Sequence, residues 1–352
     1  MLIRSVLPAL LLVSLALAQD DASTQPFFIG TNVVVAPTVV TDHHGAYIND
    51  IKSREFHLTD NGKPQDIKVD VTYVPISLVV AIQANATAEP ALAAVRKIGP
   101  LLQTLVAGEQ GEVAILAWDH RIQTLQDFTT DTAKLEEALG KLRAGSQTSR
   151  LNDAVVEAAR MLRTRPEARR RVLLLIGEAR DYGSEAKVRD ALTDLQFANV
   201  SVYSVNINRF ANMMREKPED PRPDPIPATA YHMPAGVPPT PENARQLSGN
   251  ATNSADFVPA FAEIFRASKS IFVKNPVEVY TKFTGGEERA FITQKDLERA
   301  MGSIGDELHA EYLLSYTPNN KEEGGFHDIV VVVDRPSVKI RTRPGYWVAT
   351  QN

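Results

Sequence analysis

Four apolar runs set the frame of this chain: residues 76–82 (ISLVVAI), 112–118 (EVAILAW), 171–176 (RVLLLI) and 200–207 (VSVYSVNI). A run with no alternating polar positions belongs to a strand buried on both faces. Between the runs the spacing is helical. Val95, Ile98, Leu102 and Leu105 share one face, with Pro100 predicted to kink that helix. Leu151, Val155, Ala158 and Leu162 share another, and SEAKVRDALTDLQF reads as a third helix. RIQTLQDFT reads as a short strand beside 112–118. Strands that alternate with helices imply right-handed crossovers. The predicted fold is therefore α/β, a doubly wound, mostly parallel, Rossmann-like sheet.

The flanks read differently. Residues 27–75 carry short β-branched stretches, with Asn61-Gly62 as a hairpin turn between extended runs. The end is again β: AEYLLSYTP, FHDIVVVVD and SVKIRTRPGYWV. Neither end has enough strands to bury a core alone, so the two are expected to join in one accessory β module. VEVYTKF and ITQKDLERAMGSIGDEL read as helices broken at Thr284-Gly285-Gly286. Nine Pro residues between Pro218 and Pro241 mark an insertion over about 209–275. The expected organisation is a signal peptide over 1–18, an N-terminal β segment over 19–75, the α/β domain with its insertion over 76–308, and a C-terminal β segment over 309–352.

The first residues set the expected compartment. Arg4, an apolar run and Ala16-Leu17-Ala18 form a signal-peptide pattern with a predicted cut between Ala18 and Gln19. Loss of Arg4 would take the formal charge from −5 to −6. Nothing after the cut is expected to span a membrane. The chain has no Cys, hence no disulfide and no thiolate chemistry. A periplasmic or secreted protein is expected. A net charge of −5 without a basic patch argues against a nucleic-acid partner.

Several pieces, in order, resemble one family. VVTDHHGAYINDIKSREFHLTDNGKPQDI precedes the α/β region, and SRLNDAVVEAA and RRVLLLIGEARDYGS lie within it. ELHAEYLLSYTP and GYW follow. Together they are similar to the von Willebrand factor type A family, most of all to the bacterial VWFA-related branch known from Acidobacteria. That resemblance implies a metal-ion-dependent adhesion site at the carboxyl ends of the strands, with a first loop Asp-x-Ser-x-Ser, a Thr from a second loop and an Asp after the fourth strand. This chain departs from the pattern throughout. Gln83 stands for the Asp, Asn85 for the first Ser, and Thr87 keeps a hydroxyl. Ser149 aligns with the Thr, and Glu178 with the later Asp. Magnesium prefers hard oxygen ligands that include carboxylates, and two carboxylates have become one. The site is expected to be degenerate, with no cofactor or at most weak magnesium or manganese. Thr87 is expected to cap the following helix. Asn85, Ser149, Glu178 and Asp181 are the partner-binding candidates.

Other groups carry less chemistry. Asp42-His43-His44 reads as a turn, as does Asp119-His120, for which a place near the ligand face is the alternative. The ARRR run at 168–171 reads as a solvated helix end. There is no phosphate-cradling glycine loop after the first apolar run and no Gly-x-Ser-x-Gly elbow. Two readings stand: an exported, non-catalytic module that binds a protein or envelope component, and an envelope hydrolase or other enzyme whose site is invisible in motif spacing.

Overall fold

The computed structural model describes residues 33–70, 74–207 and 275–348. The expected signal peptide and nearly all of the Pro-rich insertion lie outside the described residues.

The central sheet has six strands in the order β10-β9-β8-β5-β6-β7. β5 (Ile76–Gln83), β6 (Glu112–Trp118), β8 (Arg170–Gly177) and β9 (Val200–Ile207) are parallel, and β10 (Glu288–Phe291) joins β9 in parallel. β7 (Ile122–Thr129) closes the other edge antiparallel to β6. Every residue of β5 is buried, as its unbroken apolar run requires. Its alternate residues serve two cores. Leu78, Val80 and Ile82 pack towards α1 (Glu89–Val95), α3 (Thr132–Gly140) and α7 (Gln294–Ala310). Val79 and Ala81 pack towards α4 (Leu151–Arg163), α5 (Val188–Phe197) and α6 (Pro276–Thr284).

The terminal segments build two four-stranded antiparallel sheets, ordered β13-β1-β11-β4 and β14-β12-β2-β3. In the first, β1 (Val34–Thr41) pairs with β11 (Tyr312–Tyr316) and β13 (Lys339–Thr342), and β4 (Ile67–Asp70) pairs with β11. In the second, β12 (Gly325–Val333) pairs with β2 (Phe56–Asp60) and β14 (Gly345–Val348), and β3 (Lys63–Pro64) completes a hairpin with β2. Asn61 and Gly62, both at positive φ, form its turn. The sheets share a core of Ala36, Leu58, Leu314 and Val331, among others, so neither end of the chain is a domain alone.

Three local expectations are corrected. The helix expected through Pro100 is two pieces. α1 ends at Val95, and Pro100 instead lies in the first turn of α2 (Gly99–Leu101), which runs on as a π-helix over Leu102–Ala107. A missing N–H costs nothing in a first turn. Strand β10 was not foreseen, because Glu288-Arg289-Ala290-Phe291 has no apolar run and its pairing comes entirely from β9. Arg170 and Arg171 are not a solvated helix end. They open β8, are buried, and donate to the carbonyls of Leu308 and Ala198 at 2.9 Å.

Candidate functional site

β5, β6 and β8 run in the same direction, so Gln83, Trp118 and Gly177 end them on one side of the sheet. Ligands of such sheets gather at this end. Gln83 is fully buried. Its Oε1 accepts from the backbone N–H of Glu178 at 2.5 Å, and its Nε2 donates to Asn85 Oδ1 at 3.0 Å. The same Asn85 oxygen accepts from the Thr87 hydroxyl at 2.9 Å and from the Ala88 N–H at 3.2 Å. Thr87 Oγ1 also lies 3.3 Å from Glu178 Oε2. Gln83, Asn85, Thr87 and Glu178 therefore form one network across the ends of β5 and β8.

The cap is Asn85, not Thr87 as expected. A one-turn 3-10 helix, Ala86–Ala88, precedes α1, and its N-cap is Asn85 with extended backbone (φ −87°, ψ 174°). A cap must sit just outside the helix with its oxygen turned back to the N–H groups. Thr87 lies inside that turn, so its hydroxyl points into the network.

The second loop is fastened to the first by backbone. Gly145 N–H donates to Ala84 O at 2.7 Å and Ala86 N–H to Ser146 O at 2.9 Å. Asn85 Nδ2 reaches Gln147 O at 3.4 Å. Glycine at 145 leaves room for Asp119, since a Cβ there would stand 1.9 Å from Asp119 Oδ2 and displace that carboxylate. Ser149 is fully buried. Its Oγ accepts from Trp118 Nε1 at 3.1 Å and donates to Arg180 O at 3.4 Å, while its backbone pairs with Tyr182 in both directions. Asp181 stands apart from the network. Its Oδ1 accepts from the Asn152 N–H at 3.2 Å and from Ser184 Oγ at 2.5 Å, at the start of α4. Burial raises its pKa against the opposing pull of those hydrogen bonds.

The side chains of Asn85, Ser149, Glu178 and Asp181 are all buried, so they form the floor of the face. Its rim is Thr87, Gln147, Thr148, Arg180 and Tyr182, which are part or fully exposed. Two residues outside the set of candidates shape this floor. Trp118 holds Ser149. Asp119, read as a turn residue with a place near the ligand face as the alternative, is buried and ties the β6 end to the second loop by accepting from Ser146 N–H at 3.4 Å. An Asp directly after a buried strand was the available signal.

The five aligned residues do not fit a hard divalent cation as they are arranged. Gln83 and Asn85 turn their oxygens to N–H and O–H donors, and the amide NH2 of Gln83 points into the network where a cation needs an oxygen. Glu178 is the only carboxylate of the five. Among the described residues no group of three His, Asp or Glu side chains is placed to hold a metal ion.

Residues 85–179 match a family model described as a von Willebrand factor type A domain. The architecture is that of such a domain: a mostly parallel sheet flanked by helices, with antiparallel sheets added by the N- and C-terminal segments. The match spans Asn85, Thr87, Ser149 and Glu178, while Gln83 lies just before it. No curated protein matches the chain. Among solved structures, an aerotolerance-related membrane protein from Bacteroides fragilis is similar at 12% identity and TM-score 0.38, covering 66% of this chain and 98% of that one. The conserved hypothetical protein BatB from Bacteroides thetaiotaomicron gives 12% identity and TM-score 0.38, covering 66% and 99%. The SpRpn10 VWA domain gives 12% identity and TM-score 0.31, covering 40% and 80%. Among the described residues no helix is long and apolar enough to cross a membrane.

Proposed function

We propose that this chain is an exported, non-catalytic protein-binding module that engages its partner through the strand-end face without a metal ion. The supporting observation is the Gln83–Asn85–Thr87–Glu178 network, which does by hydrogen bonds what an ion does in a metal-bridged site: it holds the loops after β5 and β8 in one geometry. The family match supports the class, since von Willebrand factor type A domains are generally interaction modules. Export rests on the pattern of residues 1–18, and placement in the bacterial VWFA-related branch rests on the order of the flanking motifs. The test is capture of a partner from envelope extract by the immobilised mature chain. Capture should be unchanged by chelator and reduced at least roughly tenfold by Gln147→Trp, which places a large ring on the rim at the centre of the contact. Release by chelator would overturn the metal-free reading. Undiminished capture by the rim variant would overturn the face.

A further inference from the structure

We propose that the cleft beside this network receives an acidic peptide segment of the partner. The proposal rests on the strand-end face being the binding face. The cleft lies at the ends of β5 and β6, and its volume is about 140 Å3. That is well below the roughly 300–1,000 Å3 typical of a small-molecule pocket, and it suits one or two short side chains. Its floor includes Ala84 and Leu142, and three cations line it: Arg121, Lys141 and Arg143. The one carboxylate in the lining, Asp119, is buried. It accepts from the Arg121 N–H at 2.7 Å and the Ser146 N–H at 3.4 Å, and its Oδ1 lies 3.9 Å from Arg121 Nε.

Positive charge gathers here against the composition of the chain, whose formal charge is −5. Arg121 is held by the side-chain oxygen of Gln123, which accepts from its Nη2 and Nε at 3.1 and 3.2 Å, and the other two cations are available. Arg143 is exposed, and its Nη1 is anchored to the carbonyls of Gly140 and Leu142 at 2.6 and 2.8 Å. That anchor fixes the guanidinium, while its Nε and Nη2 have no partner among the described residues. Lys141 pairs with Glu137 at 2.7 Å, but both side chains are about two-thirds exposed, and such a pair exchanges readily for another carboxylate. The positive character continues across the rim at exposed Arg180, whose Nη1 donates to the Tyr182 hydroxyl at 3.1 Å. Between these cations runs the second loop, held by the Gly145 and Ala86 backbone bonds. The cleft is therefore preformed, and a guanidinium with a free edge is the donor best matched to a carboxylate.

The experiment uses a labelled twelve-residue peptide rich in Asp and Glu, titrated into the full mature chain and read by fluorescence anisotropy. Binding is expected at low salt, with loss as ionic strength rises. The double variant Arg121→Gln/Arg143→Gln should weaken it by roughly fivefold or more, as loss of two exposed ion pairs implies, with an unchanged melting temperature. Arg143→Lys should retain only part of it, because lysine keeps the charge but loses the anchored guanidinium edge. No binding, or equal binding by the double variant, would overturn the proposal. So would equal affinity for a single-stranded oligonucleotide of the same length, which would make the face a reader of polyanions. Failure here is separable from failure of the face as a whole. A partner captured through the rim but indifferent to both Arg changes leaves the face and removes the acidic segment. Peptide binding at the cleft with capture insensitive to Gln147→Trp does the reverse.

Discussion

At Gln83 and Asn85, two neutral amides stand where the resemblance places a carboxylate and a hydroxyl, and the structure shows what replaces the lost charge. Each amide is at once donor and acceptor, so the pair can satisfy the Glu178 N–H, the Thr87 hydroxyl and the Ala88 N–H together. A carboxylate only accepts. The identity of these residues was legible in the sequence, and so was the proximity of Gln83 to Glu178. Which of Asn85 and Thr87 caps the helix was not. That choice depends on a one-turn 3-10 helix that moves the cap two residues upstream. The network predicts the outcome of restoring the family residues. In Gln83→Asp/Asn85→Ser the amide NH2 group is gone and a second carboxylate faces Glu178. One added charge at about 4 Å from a divalent cation is worth up to about 8 kcal/mol at an effective dielectric near 20, before the cost of desolvation. The double variant should therefore bind magnesium or manganese at least about tenfold more tightly than the native chain by calorimetry. A folded variant with no gain would mean that the loop backbone does not bring these side chains to a common point.

Among the elements, the long apolar strands and the amphipathic helices were legible because their burial pattern is written in residue type. β5, β6, β8 and β9 fall where the runs fall, and Leu151, Val155, Ala158 and Leu162 are all buried on α4. What was not legible depends on partners distant in sequence. β10 is a strand because β9 offers an edge, and Arg170 enters a strand because Leu308 and Glu311 receive its guanidinium. The same dependence governs glycines in α7, where sequence alone gives Gly302 and Gly305 equal standing. Gly305 meets the π-helical segment so closely that a Cβ would lie 1.8 Å from Leu105 O, whereas nothing lies within 4 Å of a Cβ at Gly302. Alanine gains up to about 1 kcal/mol over glycine in a helix interior. Gly302→Ala should show that gain in urea denaturation. Gly305→Ala should instead lose roughly 1–3 kcal/mol, because backbone must move to admit the methyl. Equal effects of the two would mean that α7 does not pack on that segment as described.

At the scale of the whole molecule, the terminal sandwich is joined to the α/β domain by apolar packing of Phe326 and Trp347 on the α/β core and by a polar contact. Arg341 on β13 donates to Gly285 O and Gly286 O at 2.6 and 2.8 Å and pairs with Glu307 on α7. Inside the sandwich lies a second polar cluster with no exposure at its centre. Asp60 on β2 faces His327 Nδ1 at 2.6 Å, accepts from the hydroxyls of Tyr316 and Tyr346 at 2.9 and 2.8 Å, and accepts from Asn320 Nδ2 at 3.1 Å. These residues come from both ends of the chain, so the cluster exists only when the two ends are paired. Burial pushes the Asp60 carboxyl up, but the hydrogen bonds from His327, Tyr346, Asn320 and Tyr316 more than offset it, and its pKa is lowered from 3.8. A carboxylate with a depressed folded-state pKa contributes stability that is fully present above its unfolded value, near 4, and is lost as pH falls through the folded value. The sandwich should therefore lose stability on acidification below about pH 4. Asp60→Asn keeps the shape but removes the charge that receives four donors, and it should cost roughly 3–5 kcal/mol at neutral pH. Its stability should then change less below pH 4 than that of the native chain, because the titrating group is absent. Urea denaturation from pH 7 to pH 2.5 measures both. Parallel loss by the two proteins would show that Asp60 is not the acid-sensitive group, and an Asp60→Asn variant as stable as the native chain at pH 7 would show that the ends are held without this cluster.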